Sequence, residues 1–313
     1  MTTDMRPLPP PTMLDLGGSP GRRRTERTVR AVLFAAALVS VLISAFIVLS
    51  IIEEAVSFLA QIDPAQLTAE GWFPRRGLFG ISTLIVGSIL VTGIAIVIAA
   101  PIGIASAIYL AEYSGPRTRG IVKPILEILA GIPSIVLGFF ALTVITPDII
   151  QAIWPDANGF NLLAAGIGVG ILTIPLIATI SEDAMRAIPR ALREGAYGLG
   201  ARRATVSLRI VVPAAISGIV AALILGISRS LGETMVVALA AGASGGTLFT
   251  TDVLGPGQTV TAAMAALATG SDQVTGNTAA FQSLFFLGLM LFLATLGLNV
   301  IGDTFVRRTR QRY

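Results

Sequence analysis

The sequence FGISTLIVGSILVTGIAIVIAAPIGIASAIYLA, residues 79–111, contains no charged residue. As an α-helix it would extend about 50 Å, whereas the hydrocarbon core of a bilayer is about 30 Å thick. The run is continuously apolar and lacks the alternation of a strand in a transmembrane β-barrel. We therefore expect it to cross a membrane as helix, either in one crossing that Pro101 interrupts or in two short crossings.

Similar charge-free runs occur along the whole chain, which has 313 residues, 54% of them hydrophobic and only 13% charged. This composition is too apolar and too poor in charge for an ordinary soluble domain. The other runs lie near residues 31–52, 121–146, 160–181, 210–241 and 281–301. The sequence thus predicts an all-α, polytopic membrane protein with six transmembrane helices in contact with membrane lipid. Glycine and alanine are dense in 87–107 and 162–178, which predicts close helix packing there.

The loop charges decide how often the 79–111 run crosses the membrane. The segment before residue 31, the loops 112–123 and 182–209, and the C-terminal tail hold 19 of the 22 basic residues. The remaining loops hold only Arg75 and Arg76 among basic residues, against eight acidic ones. Cytoplasmic loops are enriched in Lys and Arg, and only a single crossing keeps the loops alternating. We therefore predict a multi-pass protein of the plasma (inner) membrane with both termini cytoplasmic.

The composition also excludes several chemistries. The chain has no cysteine and no histidine, which removes thiolate nucleophiles, imidazole bases and Cys/His metal sites. It lacks the G-x-x-x-x-G-K-[ST] loop that cradles nucleotide phosphates. We expect a protein that is not an enzyme and has no cofactor or metal, so that any ATP hydrolysis is supplied by a partner subunit. The net charge of +4 lies at segment ends, as membrane topology requires, and no nucleic-acid partner is expected.

The loop 182–209 is more than a topological connection. Apolar residues recur in it at steps of three or four, at Met185, Ile188, Leu192, Ala196 and Leu199. This spacing predicts short amphipathic helices that are split at the glycines 198–200. An apolar stripe must be buried against something: the cytosolic end of the protein itself, the lipid interface or the groove of a partner.

Within this loop, EGAYGLGARRATVSLRIVVP, residues 194–213, resembles the cytoplasmic signature of ABC-importer permeases, which reads EAA, three residues, G, nine residues and I-x-L-P. Two positions depart from it, because Gly195 replaces an alanine and Val212 a leucine. The positions in register are Glu194, Ala196, Gly200, Ile210 and Pro213. The resemblance implies a type I ABC importer permease fold, with a transmembrane domain over 80–302.

Composition and charge assign the segments outside this domain, and the resemblance implies a role for the loop 182–209. Residues 1–30, rich in Pro and Gly, would be a disordered cytoplasmic segment, 31–52 a first transmembrane helix outside the domain, and 303–313 a basic cytoplasmic tail. The loop 182–209 would dock in a groove of an ATP-binding subunit. There Glu194 would make a polar contact, Ala196 would permit close approach, and Gly200 would form a turn. The predicted ATPase-coupling residues are therefore Glu194, Gly195, Ala196, Gly200 and Pro213.

A narrower similarity concerns the substrate. The stretches GWFPRRGLFGISTLIVGSILVT (71–92), YLAEYSGPRTRGIVKPILEILAGIPSIVLGFFAL (109–142) and SRSLGETMVVALAAG (228–242) are similar to permeases of the phosphate-specific ABC importer. The GETM form (232–235) and the C-terminal stretch LFFLGLMLFLATLGLNVIGDTFVRR (284–308) resemble the PstC-type permease more than the PstA-type. The similarity implies inorganic phosphate as substrate. It implies as partners a second, homologous permease, two ATP-binding subunits and an extracytoplasmic phosphate-binding protein. A permease for another oxyanion, such as sulfate or molybdate, is the alternative within the class; a secondary transporter or channel is the alternative outside it.

Two charges interrupt the apolar run 210–241, and they are the candidate residues of the substrate pathway. Arg229 and Glu233 are four residues apart, so in a continuous helix they would face each other. They could neutralise each other, or Arg229 could meet phosphate while Glu233 holds the guanidinium when phosphate is absent, or they could pair with the second permease. Lys123 and Glu127 have the same spacing and are expected to form a local ion pair.

Overall fold

The structure is a computed structural model, and it describes residues 20–242, 246–269 and 278–309. The chain separates into two compact units with their boundary between Ser50 and Ile51. Each unit is described by itself.

The first unit contains most of helix α1, Pro20–Gln61. Residues 20–30 are helical, so the prediction of disorder is wrong for them; residues 1–19 lie outside the described part of the chain. The physical reason is that Pro20 occupies the first turn, where a proline is tolerated, and no helix breaker follows Gly21 before the apolar run. The stretch Thr25–Gln61 is long and apolar enough to cross a membrane.

In the residues that the structure describes, the second unit is built from helices and one small hairpin. Its helices are α2 (Ile81–Ile108), α3 (Pro116–Ala130), α4 (Ser134–Phe140), α5 (Gln151–Ile153), α6 (Leu162–Arg186), α7 (Arg190–Gly198), α8 (Arg203–Val206), α9 (Val212–Ala214), α10 (Ile216–Leu231), α11 (Met235–Ala240), α12 (Val260–Ala268) and α13 (Thr278–Thr309). Three π-helical segments extend or join them, at Tyr109–Tyr113, Ala141–Ile150 and Ser207–Val211. Two 3₁₀ turns, Pro64–Thr68 and Pro74–Arg76, accompany the strands β1 (Trp72–Phe73) and β2 (Leu78–Phe79).

Five helical stretches of the described chain are long and apolar enough to cross a membrane, and a bent pair is a sixth if it counts as one span. The second stretch, Ile81–Tyr113, is continuous helix through Pro101, as a single crossing of the 79–111 run requires. The sixth consists of Arg203–Ala214 and Ile216–Leu231, which meet at an angle of 69°. The helical part of the predicted tail, up to Thr309, continues α13, and residues 310–313 lie outside the described chain.

Two of the predicted spans have different bounds in the structure. The third was expected near 121–146, but α3 ends at Ala130 and the membrane-long stretch is Ser134–Ile153. Gly131 and Pro133 break the apolar run, since proline removes a backbone donor and cannot continue the preceding helix. The fifth, expected over 210–241, is bent after α9 and ends at Leu231, and α11 follows separately.

Helices α2 and α6 run parallel and form the central seam of the second unit. A Cβ atom on Gly166 would lie 2.6 Å from the Cβ of Ile94, and one on Gly103 would lie 2.9 Å from the Cβ of Ile177. Only glycine therefore lets the two helices approach this closely, which confirms the close packing expected from the small residues.

At the start of α2 lies an antiparallel hairpin that the sequence analysis did not predict. Trp72 pairs with Phe79, and both side chains are buried with Phe58 of α1. The ring centroid of Phe58 lies 5.1 Å from that of Phe79, in an edge-to-face arrangement. These aromatic contacts fix the entry of the chain into α2.

Candidate functional sites

The loop 182–209 folds into helices, as its periodicity predicts. Helix α6 continues through the first residues of the loop to Arg186, and α7 and α8 follow. Gly200, between α7 and α8, has φ = 77°, in the left-handed region that favours glycine. The predicted split at the glycines 198–200 is therefore confirmed, with Gly200 as the turning residue.

The apolar stripe of this loop is satisfied largely within the chain itself. Four of its five members pack in one cluster with Val206 and Val211: Met185, Ile188, Leu192 and Ala196. Leu199 is 90% exposed. The stripe therefore does not need the groove of a partner. Ala196 is buried against its own chain, so within this chain its small side chain serves the packing of the loop.

The other predicted coupling residues lie at the surface. Glu194 and Gly195 are exposed on α7, and Gly200 is exposed in the turn. Pro213 is exposed too, but it belongs to α9, beyond the π-helical turn and just before the bend into α10. Sequence reasoning did not single out Tyr197, which is also exposed and stands next to Ala196 on α7.

A buried carboxylate joins this loop to the end of α2. Glu112 lies in the π-helical turn after α2 and is only 8% exposed. Arg193 of α7 places its Nη2 2.9 Å and its Nε 3.2 Å from Glu112 Oε1. The same guanidinium donates to the backbone oxygens of Met185, at 2.8 Å, and of Ile188, at 2.7 Å. One side chain thus binds the ends of α2 and α6 and the connection between α6 and α7.

Arg203 of α8 binds the same residue from the other side. Its Nε donates to the backbone oxygen of Glu112 at 2.9 Å, and its Nη2 donates to that oxygen as well. Its guanidinium lies over the Tyr113 ring, 5.0 Å from the centroid, a favourable cation–π distance. We call Glu112, Arg193 and Arg203 the Glu112 clasp. The sequence analysis missed it; the available signal was Glu112 itself, an acidic residue at the start of a basic loop.

A second buried carboxylate joins α3 to α6. Glu182 is fully buried, with Arg119 Nη2 2.6 Å from its Oε1 and Lys123 Nζ 3.2 Å from its Oε2. Lys123 Nζ also lies 3.1 Å from Asp183 Oδ1. The predicted local pair of Lys123 with Glu127 is therefore wrong, because α3 turns Lys123 toward α6. Burial alone would lower the pKa of Lys123, but the hydrogen bond to Asp183 and the negative charges of Glu182 and Asp183 outweigh this effect, so the pKa is raised above its ordinary value of 10.5.

The structure separates the two charges of the candidate substrate pathway. Arg229 lies in the last turn of α10, which ends at Leu231, and Glu233 lies beyond the helix end. Arg229 is exposed and forms no ion pair with any residue that the structure describes. The expectation that Arg229 and Glu233 face each other on one helix is therefore wrong, because the helix stops between them at Gly232.

Neighbouring polar groups hold this helix end in place. Thr261 of α12 donates its hydroxyl to the backbone oxygen of Glu233 at 2.7 Å. The Glu233 carboxylate lies 3.5 Å from the backbone nitrogen of Val236, in the first turn of α11. One residue after Arg229, the buried hydroxyl of Ser230 lies 3.1 Å from that of Thr173 on α6. A helix interrupted inside an apolar run needs such partners for its free backbone groups.

Solved structures define the class of this fold. One match is a bacterial ABC transporter involved in the import of the acidic polysaccharide alginate. The TM-score is 0.63 at 16% identity, and the match covers 92% of this chain and 100% of the matched chain. The inward-facing MetNI methionine ABC transporter matches with a TM-score of 0.53 at 19% identity, covering 80% and 100%. The fold is that of type I ABC importer permeases, as the resemblance of 194–213 implies.

The sequence comparisons place the chain in a family. Residues 99–313 match the model of the binding-protein-dependent transport system inner membrane component, and the chain belongs to this family of multi-pass membrane proteins. The probable ABC transporter permease protein YqgH of Bacillus subtilis is 36% identical over 226 residues, 71% of this chain and 73% of the relative. The phosphate transport system permease protein PstC of Mesorhizobium japonicum is 31% identical over 306 residues, 92% of each chain. PstC 1 of Mycobacterium tuberculosis is 32% identical over 255 residues, 75% of this chain and 74% of the relative.

Proposed function

We propose that this chain moves inorganic phosphate across the plasma membrane as a PstC-type permease subunit of an ATP-driven importer. The relatives named as phosphate permeases support the substrate. The observation that carries the proposal is Arg229, an exposed guanidinium in a broken span of the bundle without an ion-pair partner among the described residues.

Arg229 suits this role for electrostatic and geometric reasons. A charge within a membrane-spanning segment is costly against lipid and usually faces a water-filled path or a partner. A guanidinium stays charged at all physiological pH values and matches two oxygens of a phosphate at once. We place the path where this chain meets the second permease, with Arg229 at its wall. Glu233 would line the break beside it, where its carboxylate is directed to α11 rather than to Arg229.

The energy for transport would enter through α7 and the Gly200 turn. We propose that both termini and this loop are cytoplasmic, where two ATP-binding subunits can reach them. The exposed Glu194, Tyr197 and Leu199 would meet the groove of one ATP-binding subunit, because the buried part of the stripe is already satisfied. An extracytoplasmic phosphate-binding protein would deliver the substrate to the opposite face. Closure and release of the ATPase subunits would then move the permeases between two packed states, opening the path outward and inward in turn.

The test uses the complete transporter in proteoliposomes with its binding protein. Phosphate should stimulate ATP hydrolysis and be taken up, whereas sulfate and molybdate should do neither. Arg229→Lys should impair uptake although it keeps the charge, and Arg229→Gln should impair it more, because neither supplies the planar pair of donors. Glu233→Gln removes the neighbouring charge and is measured alone, so that the effect of a double variant can be divided between the two residues.

Two results separate the possible failures. Since Arg229 has no ion-pair partner in the described chain, Arg229→Gln should still assemble, and the double variant with Glu233→Gln should assemble without transporting. Near-normal phosphate uptake by assembled Arg229→Gln would remove Arg229 from the pathway. Stimulation of the unaltered complex by sulfate or molybdate instead of phosphate would change the substrate and leave the class intact.

A further inference from the structure

We propose that the Glu112 clasp is the connection through which movement of the coupling loop reaches the transmembrane helices, with Arg193 and Arg203 as its positioning residues. This inference rests on the proposed function, since it takes α7 and the Gly200 turn as the surface that the ATPase moves.

The connection follows from what Arg193 binds. Its guanidinium contacts the Glu112 carboxylate after α2 and the backbone oxygens of Met185 and Ile188 at the end of α6 and beyond it. Arg203 holds the backbone oxygen of the same Glu112 from α8. The helices on both sides of the Gly200 turn are therefore tied to one residue, so the turn cannot shift without pulling on the end of α2.

The end of α2 is connected to a large part of the helix bundle, because α2 packs closely against α6. Close contacts at Gly103 and Gly166 pack α2 against α6 along much of their length, and close-packed elements transmit strain. A displacement applied at Glu112 is therefore passed to both helices as a rigid-body shift, which is how packed elements change state.

Charged hydrogen bonds are better suited than apolar packing to passing a displacement of the loop on to α2. The cluster around Met185, Ile188 and Val206 already buries the apolar side of the loop. Apolar contact is non-directional and permits small slips, whereas a guanidinium with several acceptors fixes direction as well as distance. A buried ion pair is a weak source of net stability because desolvation offsets much of its attraction, but removal of one partner leaves a buried charge unpaired, so the assembly of each variant has to be measured beside its transport.

The experiment measures phosphate taken up per ATP hydrolysed by the reconstituted transporter. Glu112→Gln removes the ion pair and keeps the backbone oxygen that Arg203 binds, and Arg203→Gln removes the second contact. Arg193→Gln removes the carboxylate contact and both backbone contacts at once. Arg202→Gln is the matched control, because Arg202 is exposed beside Arg203 and its side chain forms no hydrogen bond or ion pair with any residue that the structure describes.

We expect all four variants to hydrolyse ATP, while uptake per ATP falls about tenfold in Arg193→Gln, less in the two milder variants, and not in Arg202→Gln. An unchanged ratio in assembled Arg193→Gln would overturn the proposal. The proposal would also be overturned if some variants failed to assemble and all others kept the uptake per ATP of the unaltered complex. The clasp would then serve folding only. Failure of the proposed function would be seen separately, in measurements on the unaltered protein. That protein would then bind no ATPase subunit or take up no phosphate.

Discussion

Gly200 provides the sharpest test of the coupling loop, because its backbone conformation disfavours a side chain while its surroundings leave space for one. Its φ of 77° is unfavourable for residues with a Cβ, yet a Cβ placed there would meet nothing within 4 Å. Gly200→Val therefore introduces no collision, and its whole cost comes from the backbone. That cost is about 1–2 kcal/mol for an L-residue in the left-handed region, and a β-branched residue lies at the upper end.

A cost of this size lowers the population of the observed turn by a factor of about 5–30. Since the turn places Leu199 and aligns α7 with α8, we expect phosphate uptake to fall by a similar factor while the subunit still inserts. The assay is uptake of radiolabelled phosphate by cells, divided by the amount of permease in their membranes.

Gly198 is the matched control, because it also has nothing within 4 Å of a Cβ but does not have a positive φ. Gly198→Val should therefore transport nearly normally. Gly200→Asn should recover much of the activity, since asparagine tolerates the left-handed region. If Gly200→Val and Gly198→Val transport equally well, the backbone of the turn does not matter for coupling and the reasoning is refuted.

Three further predictions concern packing, topology and pH. Gly166→Leu should overpack the contact between α6 and Ile94 of α2 and lower the midpoint of thermal unfolding in detergent, by an amount corresponding to about 1–3 kcal/mol. Gly93→Leu should not lower it, because a Cβ at Gly93 meets nothing within 4 Å. Equal midpoints for the two variants would contradict the close packing of α2 against α6. Single cysteines at Asp63 and Asp156 should react with an impermeant thiol reagent in intact cells and those at Arg117 and Arg202 should not. Labelling at both Asp63 and Arg117 would mean that the 79–111 run crosses the membrane twice. Because the pKa of Lys123 is raised above 10.5, the stabilising effect of its charge is fully present below pH 10.5 and is lost as the pH rises from there through the raised value. The difference in stability between the unaltered protein and Lys123→Gln should therefore stay constant from about pH 6 to about pH 9, and a difference that disappears within this range would show that Lys123 is not the group responsible.

The spans were predictable because a bilayer imposes a simple rule on sequence. A helix must bury its backbone polar groups internally and present apolar side chains, so charge-free runs show where helices cross. The same rule cannot locate a break inside an apolar run. The break at Gly131–Pro133 has a local signal in its proline, but the break at Gly232 involves partners distant in sequence, such as the Thr261 hydroxyl that binds the backbone oxygen of Glu233. For that reason the assumption of one continuous helix from Arg229 to Glu233 failed.

The candidate sites were predictable to a similar degree. The left-handed turn at Gly200 could be inferred, since glycine between two periodic segments is itself the signal. The burial of the stripe could not be assigned, because its spacing shows that it needs a surface but not which one. The partner of Arg193 lies 81 residues away in the sequence, and only the folded chain shows the pairing.

Two acidic residues in the basic loops nevertheless point to a common principle. The Lys and Arg residues of these loops determine the membrane topology, and topology alone gives carboxylates no function there. A buried carboxylate in such a loop therefore requires a local reason, and in this chain both Glu112 and Glu182 have one: each collects cations from a different element. Glu182 ties α3 to the end of α6, and Glu112 ties the end of α2 to the loop after α6. Because both ties meet at the end of α6, a partner that displaces α7 acts on α2, α3 and α6 together.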